Sequence, residues 1–288
     1  MKRLVTLLLS AVIAVFSAAP LQAATTSGPS LRMGGTEIQV LALLQNELKA
    51  GILQPKTDAQ RQAIATAYPQ GVIHNSLNVL LLRGNGVVAL VDTGFARTFP
   101  QLQAALQSAG VTPEAVTHVI LTHAHGDHLG GLLQNGKPAF PNATILFSKA
   151  ELTHWTNPTL RAAAPEGART PFEAVGAIVQ AYGDRVTSFT PGTTLCAGLP
   201  EVQAVDMGGH TPGHVGILVE ADGRTCLFWS DLLHAFDVQT ALPAVSSSYD
   251  MDPAAAARVR AQFLDRARAG GWLVTGSHVP FVQPQTLP

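Results

Sequence analysis

The sequence predicts an α/β protein in which two β-sheets pack face to face and helices cover their outer sides. Three observations carry this expectation. Hydrophobic residues make up 47% of the 288 positions and charged residues only 13%, which suits a chain with a sizeable core and excludes a disordered one. Apolar strand-like runs come in two batches, each followed by helical segments. Many of these runs are apolar at consecutive positions, so both faces of a strand are expected to be buried, one against the partner sheet and one under helices.

The elements follow in order. "IQVLAL" (38–43) reads as a first strand, and 45–74 as a polar, irregular stretch with a short helix. "NVLLLR" (78–83) and "VVALVD" (87–92) flank a Gly-Asn-Gly turn and read as a hairpin. "FPQLQAALQSAG" has helical spacing and ends on Gly110. "THVILT" (117–122) and "ATILFS" (143–148) are buried strands, and "AELTHW" and "PFEAVGAIVQAYG" are helices. Strands return at 202–206, 214–220 and 225–230. A long helix then starts with Asp252 as its cap and Pro253 in its first turn, and Gly270 stops it. "WLVTGSH" closes with a short strand.

The amino terminus has a different character. Lys2 and Arg3 precede an apolar run at 4–16, and "SAAPLQA" then offers small residues with Ala23 as the last before cleavage. Residues 1–23 are therefore expected to be a signal peptide, and 24–288 a single exported domain, periplasmic or secreted, folded from about Ser30. No later stretch reads as a membrane span. The net charge of −1 carries no basic excess for nucleic acid, so the expected partner is a small apolar molecule, and a homodimer is compatible with the chain. Cys196 and Cys226 do not make a disulfide framework and lack the neighbours of a metal or nucleophile site.

The chemistry concentrates in "LTHAHGDHLGG" (121–131), which puts His123, His125, Asp127 and His128 at a strand exit. Imidazoles and carboxylates crowded together repel or stay unpaired unless a cation joins them, and these donor types suit zinc, manganese, iron or cobalt. Three further donors follow apolar runs in the same way: His210 in "GGHTPGH", Asp231 in "WSDLLH" and His278 in "TGSHVPF". Seven donors exceed the needs of one small ion, and two ions sharing Asp231 would fit.

These motifs, HxHxDH, Gly-His, Asp and His in that order, resemble the metallo-β-lactamase superfamily over nearly all of the chain after residue 23. The resemblance implies an αβ/βα four-layer sandwich with a dinuclear site at one edge. It implies that His123, His125 and His210 hold one metal, that Asp127, His128 and His278 hold the other, and that Asp231 and a hydroxide bridge the pair. Two divalent ions, zinc foremost, are the implied cofactors, with Asp127 and Asp231 as catalytic carboxylates. Asp92, in "LVDTGF", is expected to hold a ligand histidine by its outer nitrogen, and His214 to support the turn after His210.

Within the superfamily, "AFPNATILFSKAELTHW", "GHTPGH" and "SHVPF" are similar to methyl parathion hydrolase and its exported relatives. That likeness places Phe99, Trp155 and Phe172 around a substrate pocket, although each ring would serve equally as core. His234 is near enough to Asp231 to reach the pocket, or to be a buried strand end. The chain ends ten residues after His278, where that group runs on through further strands, so one pocket wall is expected to be missing or replaced. His118 reads as structural, and nothing in the pattern places Tyr249, His74 or His154.

The implied activity is hydrolysis of an ester-like bond, in a lactone, an aryl ester or a phosphotriester, by the bridging hydroxide. The alternatives are a β-lactamase-type amide hydrolase and a non-catalytic metal-binding or ligand-sensing protein of the same fold.

Overall fold

The computed structural model describes residues 26–287. The expected signal peptide at 1–23 lies outside the described residues. Among the described residues, no helix is long and apolar enough to cross a membrane.

The first sheet is built from β1 (Thr26–Ser27), β2 (Leu31–Met33), β3 (Thr36–Lys49), β4 (Val72–Gly84), β5 (Val87–Val91), β6 (His118–Ile120), β7 (Thr144–Ser148) and β8 (Val186–Phe189). Their order is β1-β3-β4-β5-β6-β7-β8, with β2 also paired to β3. Pairing is antiparallel as far as β5 and parallel from β5 to β8. The second sheet runs β9 (Val202–Asp206), β10 (Val215–Ala221), β11 (Arg224–Phe228), β12 (Leu273–Thr275) and β13 (Gln285–Thr286) in sequence order. Here β9, β11 and β12 point the same way, because β10 is antiparallel to both its neighbours and β12 is parallel to β11.

Alternation along the strands divides the core into layers. Leu80 and Leu82 of β4 and Ala89 and Val91 of β5 face the second sheet, where they meet Ala204, Val215, Ile217, Val219 and Phe228. Their neighbours Val79, Leu81 and Leu90 face outward, under α2 (Phe99–Ser108), α4 (Lys149–Trp155) and α6 (Thr170–Tyr182). On the far side, Leu218, Leu227 and Val274 pack beneath Phe263, Leu264 and Ala267 of α8 (Pro253–Gly270). The four layers are those of an αβ/βα sandwich.

Two boundaries differ from the sequence reading. The stretch 45–74 is not irregular at its ends: β3 continues to Lys49, pairs with Val72–Asn75, and carries a bulge between Ala42 and Leu44. Gln45, Glu47 and Lys49 face solvent while Asn46 and Leu48 share the other side, and this half-exposed alternation was hidden by its polarity. Between the two strands lies α1 (Asp58–Ala67), and two short helices, α5 (Pro158–Ala163) and α7 (Phe236–Ala241), precede α6 and α8 in the chain. At the end of α8, Gly271 rather than Gly270 takes the left-handed cap, with φ +58°. Cys196 and Cys226 are both free and both belong to the inter-sheet core.

Candidate metal centre

The donors arrive at the carboxyl ends of strands that point to one rim. His123, His125, Asp127 and His128 follow β6, His210 follows β9, Asp231 follows β11 and His278 follows β12. The Val215 N–H donates to the Thr122 carbonyl at 3.1 Å and joins the two sheets at this rim. After β6 the chain is extended at His125 and then turns into α3 (Gly126–Leu129), which carries Asp127 and His128. Gly131 lies so close to the Thr93 carbonyl that a Cβ would overlap it, so the glycine lets this turn sit against the end of β5.

Two groups of donors result: His123, His125, His210 and Asp231, and Asp127, His128, Asp231 and His278. Within each group the donor atoms lie within 4.8 Å of one another. Asp231 belongs to both. Its Oδ2 is 3.2 Å from His278 Nε2 and 3.5 Å from His210 Nε2, and its Oδ1 is 3.1 Å from His128 Nε2. His125 Nδ1 lies 3.0 Å from Nε2 of both His123 and His210.

The outer nitrogens of two donor histidines are held by carboxylates. His128 Nδ1 meets Asp92 Oδ2 at 2.8 Å, and His210 Nδ1 meets Asp250 Oδ1 at 3.0 Å. Asp92 takes φ +63°, an uncommon backbone that aspartate tolerates better than most side chains, and accepts from the N–H and hydroxyl of Thr122. His214 donates Nδ1–H to the Met207 carbonyl, leaving Nε2 to accept from the Asp231 N–H at 3.3 Å. It therefore ties the turn around His210 to the backbone of Asp231.

The electrostatics are those of a centre built for cations. Burial pushes His123 well down, and it pushes His125 to about 4 and His210 to about 3 despite the pull of Asp231. Burial also opposes a proton on His128 and His278, but the carboxylates around them outweigh it: His128 is raised and His278 reaches about 10. Asp127 and Asp231 are held low by those same imidazoles, against burial. The buried His128 Nε2 makes no well-directed hydrogen bond among the described residues although Asp231 Oδ1 is 3.1 Å away, an arrangement that suits a metal ligand.

A cavity of about 320 Å³ opens on the centre. His125, Asp127, Asp231 and His278 line it, together with Gly126, Asn46, Leu48, Phe95, His234 and Tyr249. His234, 2% exposed, has its Nε2 3.2 Å from Asp231 Oδ2, and its ring stacks on His278 at 5.1 Å. The other expected pocket residues are elsewhere. Phe99, Trp155 and Phe172 belong to the core between the first sheet and its helices, with Phe99 edge-on to Phe140 and Trp155 edge-on to Phe172. Each sits on the buried face of a different helix, α2, α4 or α6, and the rings at the cavity are Phe95 and Tyr249 instead.

Several residues that support the centre carried no motif. Glu151, fully buried, accepts from the Ala124 N–H, the Thr211 hydroxyl, the Gly213 N–H and the Trp155 indole, and so joins the loops of His125 and His210. Asn78 donates to the carbonyls of Gly276 and Val279 on either side of His278. Asn46 and Leu48 reach the cavity only through the extension of β3. Period-2 alternation at 45–49 was the one signal that could have found any of these.

A family model described as the metallo-beta-lactamase superfamily matches residues 75–278, and the chain belongs to that superfamily. Metallo-beta-lactamase domain-containing protein 1 of Xenopus laevis is 42% identical over 71 residues, 25% of this chain and 28% of that protein. Uncharacterized protein YobT of Bacillus subtilis (strain 168) is 28% identical over 149 residues, 51% of this chain and 58% of its own length. The chain thus spans only part of the curated relatives it matches. Similarity to solved structures is more extensive. The hydrolase AbOPH of the beta lactamase superfamily superposes with a TM-score of 0.77 at 25% identity, over 90% of this chain and 96% of that one. AidC, a dizinc quorum-quenching lactonase solved with its product, shares the fold with a TM-score of 0.78 at 24% identity, over 89% and 92% of the two chains.

Proposed function

We propose that this chain is a metal-dependent hydrolase that opens a lactone or cleaves a related uncharged ester or phosphotriester carrying an apolar group. The observation that carries the reading is the pair of donor groups sharing Asp231 beside a cavity walled by Leu48, Phe95 and Tyr249. His123, His125 and His210 would hold one divalent cation, and Asp127, His128 and His278 the other, with Asp231 common to both. Imidazole and carboxylate donors put zinc first among the candidates. Two such cations supply a water activated at neutral pH and polarisation of the substrate oxygen.

The chain's own residues do the rest. No lysine or arginine lines the cavity among the described residues, which favours a neutral substrate. About 320 Å³ is room for a small ring and a short substituent, at the lower end of small-molecule sites. Asp127, with its side chain 20% exposed against 2% for Asp231, is the donor carboxylate placed to pass a proton between substrate and solvent. Asn46, His234 and Tyr249 line the cavity and would offer polar groups to a bound substrate. Similarity to the hydrolase AbOPH supports the reaction class. Export to the periplasm, with residues 1–23 removed, completes the proposal and is checked by sequencing the amino terminus of the exported protein.

The purified protein is assayed for bound metal and against lactones, nitrophenyl esters, phosphotriesters and a β-lactam, with and without chelator. Two metals per chain and chelator-sensitive lactone or ester turnover are expected. Turnover of the β-lactam alone replaces this reading with amide hydrolysis, and bound metal with no turnover replaces it with a binding or sensing role.

A further inference from the structure

Two donor histidines are backed by carboxylates, and the two backings are unlike. Asp92, behind His128, faces only the neutral N–H and hydroxyl of Thr122 with its oxygens. Asp250, behind His210, divides its oxygens: Oδ1 meets His210 Nδ1 at 3.0 Å, while Oδ2 faces the Arg260 guanidinium at 3.2 Å and the Ser247 N–H at 3.0 Å. Arg260 is completely buried in the middle of α8. Its Nε donates to the Leu232 carbonyl at 2.7 Å, beside Asp231, and its Nη1 donates to the carbonyls of Pro243 and Val245.

A buried guanidinium is costly, and an apolar side chain would pack α8 against the sheet at least as well. Its placement has another consequence. His210 sits on a loop that approaches α8 at Gly209, where φ is +136° and a Cβ would overlap the backbone of Ala256. The neighbouring segment is laced to this loop, with Met251 N–H donating to the His210 carbonyl at 3.0 Å and Asp252 N–H to the Gly209 carbonyl at 2.8 Å. Asp250 and Arg260 then tie the His210 ring to α8, and Arg260 also ties α8 to the Leu232 carbonyl next to Asp231.

We propose that Asp250, with Arg260 as its counter-charge, is a positioning residue for one cation only, the one that His123, His125, His210 and Asp231 would hold, while Asp92 serves the group containing His128. The proton on His210 Nδ1 is turned toward Asp250, so Nε2 faces the centre with its lone pair. Because Arg260 balances Asp250, this backing supplies direction with little net charge, whereas the backing of His128 keeps the full charge of Asp92. The two cation sites are therefore separable by mutation although they share Asp231.

This inference rests on the two-cation reading, and the experiment distinguishes their failures. The full chain is prepared as wild type, Asp250→Ala, Asp250→Ala/Arg260→Met, Asp92→Asn, and Asp92→Asn/Asp250→Ala. Each is stripped with chelator, its fold is checked by circular dichroism, and Co²⁺ is titrated by visible absorption. Asp250→Ala removes the acceptor of His210 Nδ1–H, and the Asp250→Ala/Arg260→Met protein, which leaves no lone buried cation, keeps the test valid if Asp250→Ala alone does not fold. The expected result is two Co²⁺ per wild-type chain. In the Asp250 variants one ion keeps wild-type affinity and the other binds about 10–100-fold more weakly. Asp92→Asn weakens one ion with a different spectral band lost, and combining it with Asp250→Ala weakens both. Wild-type affinities and spectrum in the Asp250 variants, or equal weakening of both ions, overturn the proposal alone. A wild-type chain that takes up fewer than two ions overturns the two-cation reading and the proposal with it.

Discussion

The loop after β6 and the loops after β9, β11 and β12 build one centre by different means. The first places four donors within six residues, where one turn at Gly126 brings them together and Asp92 and Glu151 steady the result. The second-sheet loops each deliver one donor, His210, Asp231 or His278, and each is held by a side chain distant in sequence. Arg260 holds the loop of Asp231, Asp250 holds His210, and Asn78 holds the loop of His278. Where donors are adjacent, chain connectivity does most of the gathering and the buried clamps add to it; where they are scattered, buried polar clamps have to replace connectivity.

Asp231→Ala tests the contrast most severely, because Asp231 is the one donor common to both groups. It is expected to lower chelator-sensitive turnover by more than about 100-fold, beyond what loss of a supporting residue costs, and to reduce the metal content of both sites. A variant that keeps two metals and most of its activity breaks the shared-donor picture. Glu151→Ala attacks the bond between the halves. It leaves the N–H groups of Ala124 and Gly213, the Thr211 hydroxyl and the Trp155 indole without their acceptor. A loss of about 3 kcal/mol or more in urea unfolding is expected, with metal affinity reduced as the two loops separate. Unchanged stability would mean that the loops need no tie.

Smaller effects separate cavity from core. Phe95→Ala removes a cavity ring, so KM for an apolar substrate should rise on the order of tenfold while kcat stays within about threefold. Phe172→Ala, in the core, should lower the melting temperature and leave KM unchanged. The opposite pattern would restore Phe172 to the pocket. The smallest effect concerns the thiols. Burial pushes Cys196 up to about 11 and Cys226 up to about 12, so neither should react with a thiol reagent at pH 8 until the chain is unfolded. Reaction in the native protein would show that the sheets part near these residues.

The sandwich was legible because its strands obey simple rules. Leu80 and Leu82 face one layer, Val79 and Leu81 another, and the runs that end near His123, Asp231 and His278 stop where a polar donor begins. The grouping of donors was legible for a similar reason, since four spaced motifs share one chemistry. The cavity was not. Phe99, Trp155 and Phe172 are aromatic residues on helices, and an aromatic side chain satisfies a core and a pocket equally well until the helix is rotated into place. Asn46 and Leu48 sit in a stretch whose polar side chains disguise a strand with one face in solvent.

The linear chain by itself determined the layer pattern, the donor chemistry and the rim at which it gathers, because these depend on residue type and on short periodicities along the backbone. Only the tertiary structure decided which aromatic rings meet the cavity, that Glu151 joins the loops of His125 and His210, and that Asp250 and Arg260 stand behind His210. These contacts bring together residues far apart in the chain. A buried carboxylate or guanidinium has no sequence signature of its own, and its role exists only once the groups it must satisfy are packed around it.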